Sequence, residues 1–259
     1  MGLRVLITGA SSGFGRELAV QLGREGCRLA LTGRRAERLR ETAALAREAG
    51  ASEVLELVGG VEDRAAVARH GAAVRERFGG LDWAILNAGI SKSGSARERF
   101  AVSDYREVYE TNVFGVLNWI EEVLPGMRAA GAGVLVGVSS LAGYRGLPHS
   151  GPYGSSKAAL TAILESLRTA LRGTGVDVVT VCPGFVRTEL TARWKPQDMP
   201  FLMEPADAVR VMIKGIKARR TVVHFPWPFS HFVKYILRNT PDFIFDRVAA
   251  KATRRRTKD

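Results

Sequence analysis

The sequence predicts an α/β fold built on a doubly wound parallel sheet. Two observations carry this expectation. Short, almost unbroken apolar runs alternate with longer amphipathic stretches from residue 3 to residue 224, and a glycine cluster stands where the first apolar run gives way to the first amphipathic one. Strands that are apolar throughout belong to sheets covered on both faces. Right-handed crossovers then make the sheet parallel and put ligand sites at the C-terminal ends of its strands.

The elements follow in order. Residues 3–8 read as a buried strand and Phe14 to Arg24, with Leu18 and Leu22 on one face, as the helix after it. Arg28 to Thr32 is a second strand, Ala36 to Ala49 a helix, Glu53 to Val58 a third strand, and Glu62 to Phe78 a helix. Trp83 to Leu86 is the next strand, followed by one long helix over Tyr105 to Met127 and the strand Val134 to Val138. A helix over Tyr153 to Arg172, a strand over Val176 to Val181, a helix over Ala206 to Ala218 and a short strand over Thr221 to His224 complete the alternation. No Pro/Ser-rich linker interrupts it, so a single domain is expected over residues 1–225, with an amphipathic helical extension over 226–259.

With 259 residues, 46% of them hydrophobic, the chain can bury a substantial core. Cys27 and Cys182 lie in apolar surroundings without ligand spacing, which argues against a disulfide framework and against a zinc site; no metal is expected. The first strand follows Met1 almost at once and no apolar run is long enough to span a bilayer, so the expectation is a cytoplasmic protein. The net charge of +12 is partly concentrated in Lys251 to Lys258 and could serve anionic lipid, nucleic acid or solubility. Nucleic acid is the weakest of these, because apart from that tail the basic residues are dispersed along the helices.

Thr8-Gly9-Ala10-Ser11-Ser12-Gly13-Phe14-Gly15 occupies the strand-to-helix turn, where glycine permits positive φ and close approach of the backbone to a pyrophosphate. The amides at the helix N-terminus then face the anion. About twenty residues further on, an acidic residue would ordinarily grip the ribose 2′-hydroxyl. The second strand ends instead in Gly33-Arg34-Arg35. An arginine such as Arg34 can hold a 2′-phosphate through charge-assisted hydrogen bonds, so NADP(H) is expected over NAD(H); the alternative is a pair of solvated arginines before a helix.

Tyr153 and Lys157 stand one helical turn apart in Tyr153-Gly-Ser-Ser-Lys157, on one face and within reach of one ligand. A tyrosine of ordinary pKa, about 10, is a poor base near neutrality. A lysine ammonium and an oxidised nicotinamide nearby would favour the phenolate. Ser140, at the end of a strand, is placed to hold a substrate oxygen and to favour the alkoxide that develops as hydride arrives. Taken alone, Ser140 could equally cap a turn, and Tyr153 with Lys157 could be a surface pair.

Together with Asn87-Ala88-Gly89, Asn112, and Pro183-Gly184 with Thr188, these motifs resemble those of the short-chain dehydrogenase/reductase family, over roughly residues 3–224. The resemblance implies a Rossmann-like fold and a nicotinamide-dependent oxidoreductase, with Tyr153 as catalytic acid/base and Ser140 orienting a carbonyl or secondary alcohol. It implies that Lys157 also binds the nicotinamide ribose and that Asn112 supports a water-linked proton path to Lys157. With Arg34 from the reading above, the expected cofactor contacts are Gly9, Ser11, Ser12, Gly13, Phe14, Gly15, Arg34, Val61, Asn87, Ala88, Gly89, Tyr153, Lys157, Val186 and Thr188. It also implies a homodimer or homotetramer, formed through the long helices near 105–127 and 153–172. One departure stands out. Where the family places an aspartate beside the adenine, this chain has Gly60, which leaves the contact to the Val61 backbone or to Asp63.

The stretch Pro226 to Leu237 spaces Phe229, Phe232, Val233, Ile236 and Leu237 helically, and Phe243, Ile244, Phe245 and Val248 continue the apolar supply. The simpler reading is a helix packed on the domain or on a second subunit; the sharper one is an interfacial helix whose basic residues meet anionic headgroups. His149 is expected to border the substrate entrance. The function expected is an NADP(H)-dependent carbonyl reductase or the reverse dehydrogenase, on an apolar or lipid-like substrate. The competing function is a non-catalytic dinucleotide-binding or membrane-surface protein on the same fold.

Overall fold

The computed structural model describes residues 2–92, 99–192 and 194–256. Among the described residues seven parallel strands, β1 (Arg4–Thr8), β2 (Arg28–Gly33), β3 (Glu53–Val58), β4 (Trp83–Leu86), β5 (Gly133–Val138), β6 (Val176–Pro183) and β7 (Val222–Phe225), form one sheet in the order β3-β2-β1-β4-β5-β6-β7. Between them run α1 (Gly13–Arg24), α2 (Ala36–Ala49), α3 (Arg64–Phe78), α4 (Val102–Tyr109), α5 (Gly115–Ala130), α6 (Gly151–Ala170) and α7 (Pro205–Lys217).

Alternation along each strand divides the core into two layers. Val5, Ile7, Leu29 and Leu31 meet Leu18 and Leu22 of α1, Leu39 of α2 and Met212 and Ile216 of α7. Leu6, Ala30 and Leu135 face the other way, onto Val67 and Val74 of α3, Trp119 of α5 and Leu160 and Leu164 of α6. A period of two in the strands therefore feeds two helical layers, which is why the strands read as continuous apolar runs. Both cysteines are buried and unpaired.

The structure departs from the sequence expectations at element ends. Helix α3 starts at Arg64 rather than at residue 62, because the Asp63 carboxylate accepts the Ala66 amide at 3.0 Å and caps it. The long helix expected over 105–127 is split between α4 and α5 by a π turn, Glu110–Phe114. Helix α6 begins two residues before Tyr153, with Pro152 in its first turn. In the C-terminal segment only α8 (Phe229–His231) is α-helical before a π-type stretch, Phe232–Leu237, and α9 (Asp242–Arg256) follows. Val233 packs with Leu141 and Cys182, so part of this segment closes on the domain near the end of β6. No helix among the described residues is long and apolar enough to cross a membrane.

Candidate active site

The strand order reverses between β1 and β4, and the turns that leave these two strands lie side by side. The buried Thr8 hydroxyl, at the end of β1, accepts the amides of Asn87 and Ala88, each at 3.0 Å, and Asn87 Nδ2 donates back to the Thr8 carbonyl at 2.9 Å. The approach is so close that a Cβ on Gly9, where φ is 67°, would stand 2.8 Å from the Ala88 Cα. Only glycine meets both demands. Gly15 is pressed against the same turn and Phe14 packs on the core, which fixes where α1 begins.

The first turn of α1 suits an anion. Ser12 stands at its N-cap without capping it through the side chain, and no acidic residue lies in that turn, so the terminal amides keep their capacity to donate. Arg35 reaches over the same turn and donates to Ser12 Oγ at 2.8 Å, to Ser11 Oγ at 3.4 Å and to Glu189 at 2.8 Å. This donor set fits the phosphates of a dinucleotide. Arg34, named for a 2′-phosphate, lies on the surface 3.6 Å from Glu62, and the arginine laid across the glycine turn is its neighbour. Thr188 flanks this region, its methyl 3.5 Å from where a Cβ on Gly13 would be. The Val186 side chain is buried in the core, and a bridge to Met203 holds its backbone.

On the far side of β4 the polar groups converge. Lys157 is almost fully buried and donates from Nζ to the Val138 carbonyl at 2.8 Å. Its own carbonyl accepts the Ser139 hydroxyl at 2.8 Å. Asn112, in the π turn and with no exposure at all, accepts the Ile90 amide at 2.8 Å, donates to the Ile90 carbonyl at 2.9 Å and donates to Ser156 Oγ at 3.0 Å. A Cβ on Gly89 would meet Asn112 Oδ1 at 3.2 Å and Lys157 Nζ at 3.3 Å, so these two groups bracket the loop after β4. The Asn112 side chain thus holds Ile90 and Ser156 and makes no direct bond to Lys157.

Tyr153 is half-buried beside them, with Lys157 Nζ 5.7 Å from its ring centre. Burial pushes its pKa up, and a hydrogen bond with the Ser140 hydroxyl opposes that rise. The protein's own groups hold the phenol protonated, whereas the expected acidification counted on an oxidised nicotinamide as well as on Lys157. Burial likewise pulls Lys157 down to about 8, since the ammonium is poorly solvated. Ser140 is buried and does cap a short 3₁₀ turn, accepting the Ala142 amide at 3.1 Å, while also meeting Tyr153. The cap and the contact with the phenol hold together.

Of the two groups offered for the adenine contact, the Asp63 carboxylate accepts the Ala66 amide at the start of α3, and the Val61 carbonyl accepts Asn118 Nδ2 at 3.0 Å. His149 lies between the 3₁₀ turn and α6, and its Nε2 is enclosed without a hydrogen-bond partner. His70 stacks on Trp119, and burial lowers its pKa. Among the described residues no three His, Cys, Asp or Glu side chains gather as a metal site. Sequence reasoning missed Thr8, Arg35 and Ser156 as parts of the site. Each lies within or beside a sequence motif, and only its partners reveal its part.

The chain matches the short chain dehydrogenase family over residues 4–199. A protein of Myxococcus xanthus described as an uncharacterized oxidoreductase is 42% identical over 247 residues, 95% of this chain and 96% of that one. Levodione reductase of Leifsonia aquatica is 34% identical over 187 residues, 72% of this chain and 70% of the other. Among solved structures, a short chain dehydrogenase/reductase of Burkholderia phymatum in complex with NAD superposes with a TM-score of 0.81 at 27% identity, covering 92% of each chain.

Proposed function

The chain belongs to the short chain dehydrogenase family and is an oxidoreductase of that type, and we propose that it interconverts a ketone and a secondary alcohol with NADP(H), using Tyr153 as acid/base. The observation that carries this is the juxtaposition of a protonated Tyr153, the Ser140 hydroxyl and a buried Lys157 beside the loop after β4. The bound nicotinamide supplies or accepts the hydride. In reduction, Ser140 donates a hydrogen bond to the carbonyl oxygen and Tyr153 delivers the proton as that oxygen gains charge. Lys157, charged below about pH 8, stabilises the phenolate left behind. In oxidation the same groups act in the opposite sense. Asn112 keeps the loop after β4 in place.

Support for NADP(H) comes from the two arginines after β2 and from Gly33, which offers no carboxylate to a ribose hydroxyl. The NAD in the Burkholderia phymatum structure belongs to that protein. Arg35 is now the foremost candidate for the 2′-phosphate, with Arg34 at its flank. An apolar substrate is supported by Leu190 and Phe201, exposed in the segment after β6. The test is a carbonyl panel with NADPH and NADH in parallel. Higher kcat/KM with NADH would overturn the phosphate assignment, and turnover surviving in Tyr153→Phe would overturn the proton-transfer assignment.

A second reading concerns surfaces. Trp227, Tyr235, Ile236, Phe243 and Val248 are exposed in the C-terminal segment among Lys234, Arg238 and Arg247, a combination suited to an anionic membrane surface of the cytoplasm. The side chains of the basic tail beyond residue 249 lie outside the described residues. Cosedimentation with phosphatidylglycerol vesicles that is unchanged in a Trp227→Ala, Phe243→Ala double variant would defeat the lipid reading. The exposed Phe114, between α4 and α5, supports a homodimer or homotetramer through those helices and α6. A solution mass equal to the 28.1 kDa chain would defeat that reading.

A further inference from the structure

The missing acid at position 60 is replaced in space. A Cβ on Gly60 would lie 2.5 Å from Glu62 Oε1, 2.6 Å from its Cδ and 2.8 Å from Oε2, so the Glu62 carboxylate sits where a side chain of residue 60 would begin. The segment that carries it is tied to the neighbouring strand, since the Gly59 amide donates to the Gly33 carbonyl at 3.1 Å. Arg34, next after Gly33, faces the same carboxylate at 3.6 Å. In a doubly wound sheet the pyrophosphate lies at the first turn and the adenosine ribose at the end of the second strand, which carries the base outward over the ends of β2 and β3. Asp63 Oδ1 is engaged instead by the Ala66 amide at the start of α3.

We propose that Glu62 is the adenine acceptor of this protein: its carboxylate takes the hydrogen bond of the 6-amino group, while its pairing with Arg34 keeps that arginine beside the ribose. This rests on the dinucleotide reading above and adds to it one specificity residue. A glycine at 60 and a glutamate at 62 are then two halves of one arrangement. The glycine leaves the room into which the longer side chain folds back.

The experiment is a binding titration by calorimetry, with no turnover required. NADPH is compared with its hypoxanthine analogue, in which an oxo group replaces the adenine 6-amino group, on the native protein, Glu62→Ala and Glu62→Gln. Native protein should bind NADPH about tenfold more tightly than the analogue, the worth of one hydrogen bond to a charged acceptor. Glu62→Ala should lower NADPH affinity and close most of that gap. Glu62→Gln, whose amide can donate to the oxo group, should bring the analogue level with NADPH or ahead of it. A tenfold preference persisting in Glu62→Ala, or absent from the native protein, would overturn the assignment while leaving dinucleotide binding intact. A change confined to the NADPH-to-NADH ratio would also overturn it, because Glu62 would then act only through Arg34. Native protein that binds neither nucleotide would overturn both this inference and the reading beneath it.

Discussion

Replacing Asn112 with leucine removes an amide that satisfies the main chain of Ile90 on both sides. The lost bonds are the Ile90 amide at 2.8 Å, the Ile90 carbonyl at 2.9 Å and Ser156 Oγ at 3.0 Å. Ser156 keeps a partner, the Tyr153 carbonyl at 2.7 Å, so two backbone groups are left unpaired. An orphaned buried group costs about 1–3 kcal/mol, which gives about 2–6 kcal/mol for the pair. Ile90 is only half-buried and water can reach part of this loop, so the lower part of that range applies, about 2–3 kcal/mol. Against a total of about 5–15 kcal/mol the variant should still fold. Equilibrium urea denaturation of Asn112→Leu should show this loss with an unchanged slope. Hydrogen exchange at the Ile90 amide should accelerate well beyond that at Leu86 in β4. Since residues 87–90 lie between Thr8 and Lys157, turnover should fall as well. A stability loss under about 1 kcal/mol, with the Ile90 amide still protected, would refute the view that this asparagine anchors the loop.

Further outcomes are expected. Tyr153→Phe should lower kcat by about 10²- to 10⁴-fold, the span of general acid–base catalysis, in a protein that still unfolds cooperatively in urea. Lys157 carries a folded pKa of about 8 against an ordinary value of 10.5, so between these pH values the unfolded chain binds the extra proton. Stability should therefore gain a rising contribution from pH 8 to 10.5, visible as a steeper pH dependence of the urea midpoint than in Lys157→Met. His224 is pulled down to about 4 by burial, with Lys234 and His231 adding to the effect, and its Nδ1 lies 3.0 Å from Ser230 Oγ. Here the unfolded chain takes up the proton first as pH falls below 6.5, so stability should drop between pH 6.5 and 4. His224→Asn should flatten that part of the profile, and an unaltered acid slope would show that the ring is not buried as described.

The local patterns of this chain were legible from its order of residues. Strand and helix alternation, the glycine turn and the one-turn spacing of Tyr153 and Lys157 depend on periods and offsets of a few residues, which a linear text preserves. The same is true of the family, whose motifs are short strings. The boundaries were less legible, because Asp63 can continue a helix or cap one and only its bond to the Ala66 amide decides. The π turn that carries Asn112 left no sign in the periodicity, since a bulge changes the hydrogen-bond ladder without breaking the apolar stripe.

What the tertiary structure alone decided is which groups meet. Thr8 and Asn87 are 79 residues apart, Arg35 and Glu189 are 154 apart, and each pair is joined by the strand order β3-β2-β1-β4-β5-β6-β7 rather than by any local preference. Such contacts also give Arg35 the serines of the glycine turn and Arg34 the Glu62 carboxylate, and they set the engagement of Asp63 and the folding of Glu62 over Gly60. Proton affinities follow the same rule. The sequence named Tyr153 and Lys157, but burial, which exists only once distant segments have closed around a group, raises one pKa and lowers the other.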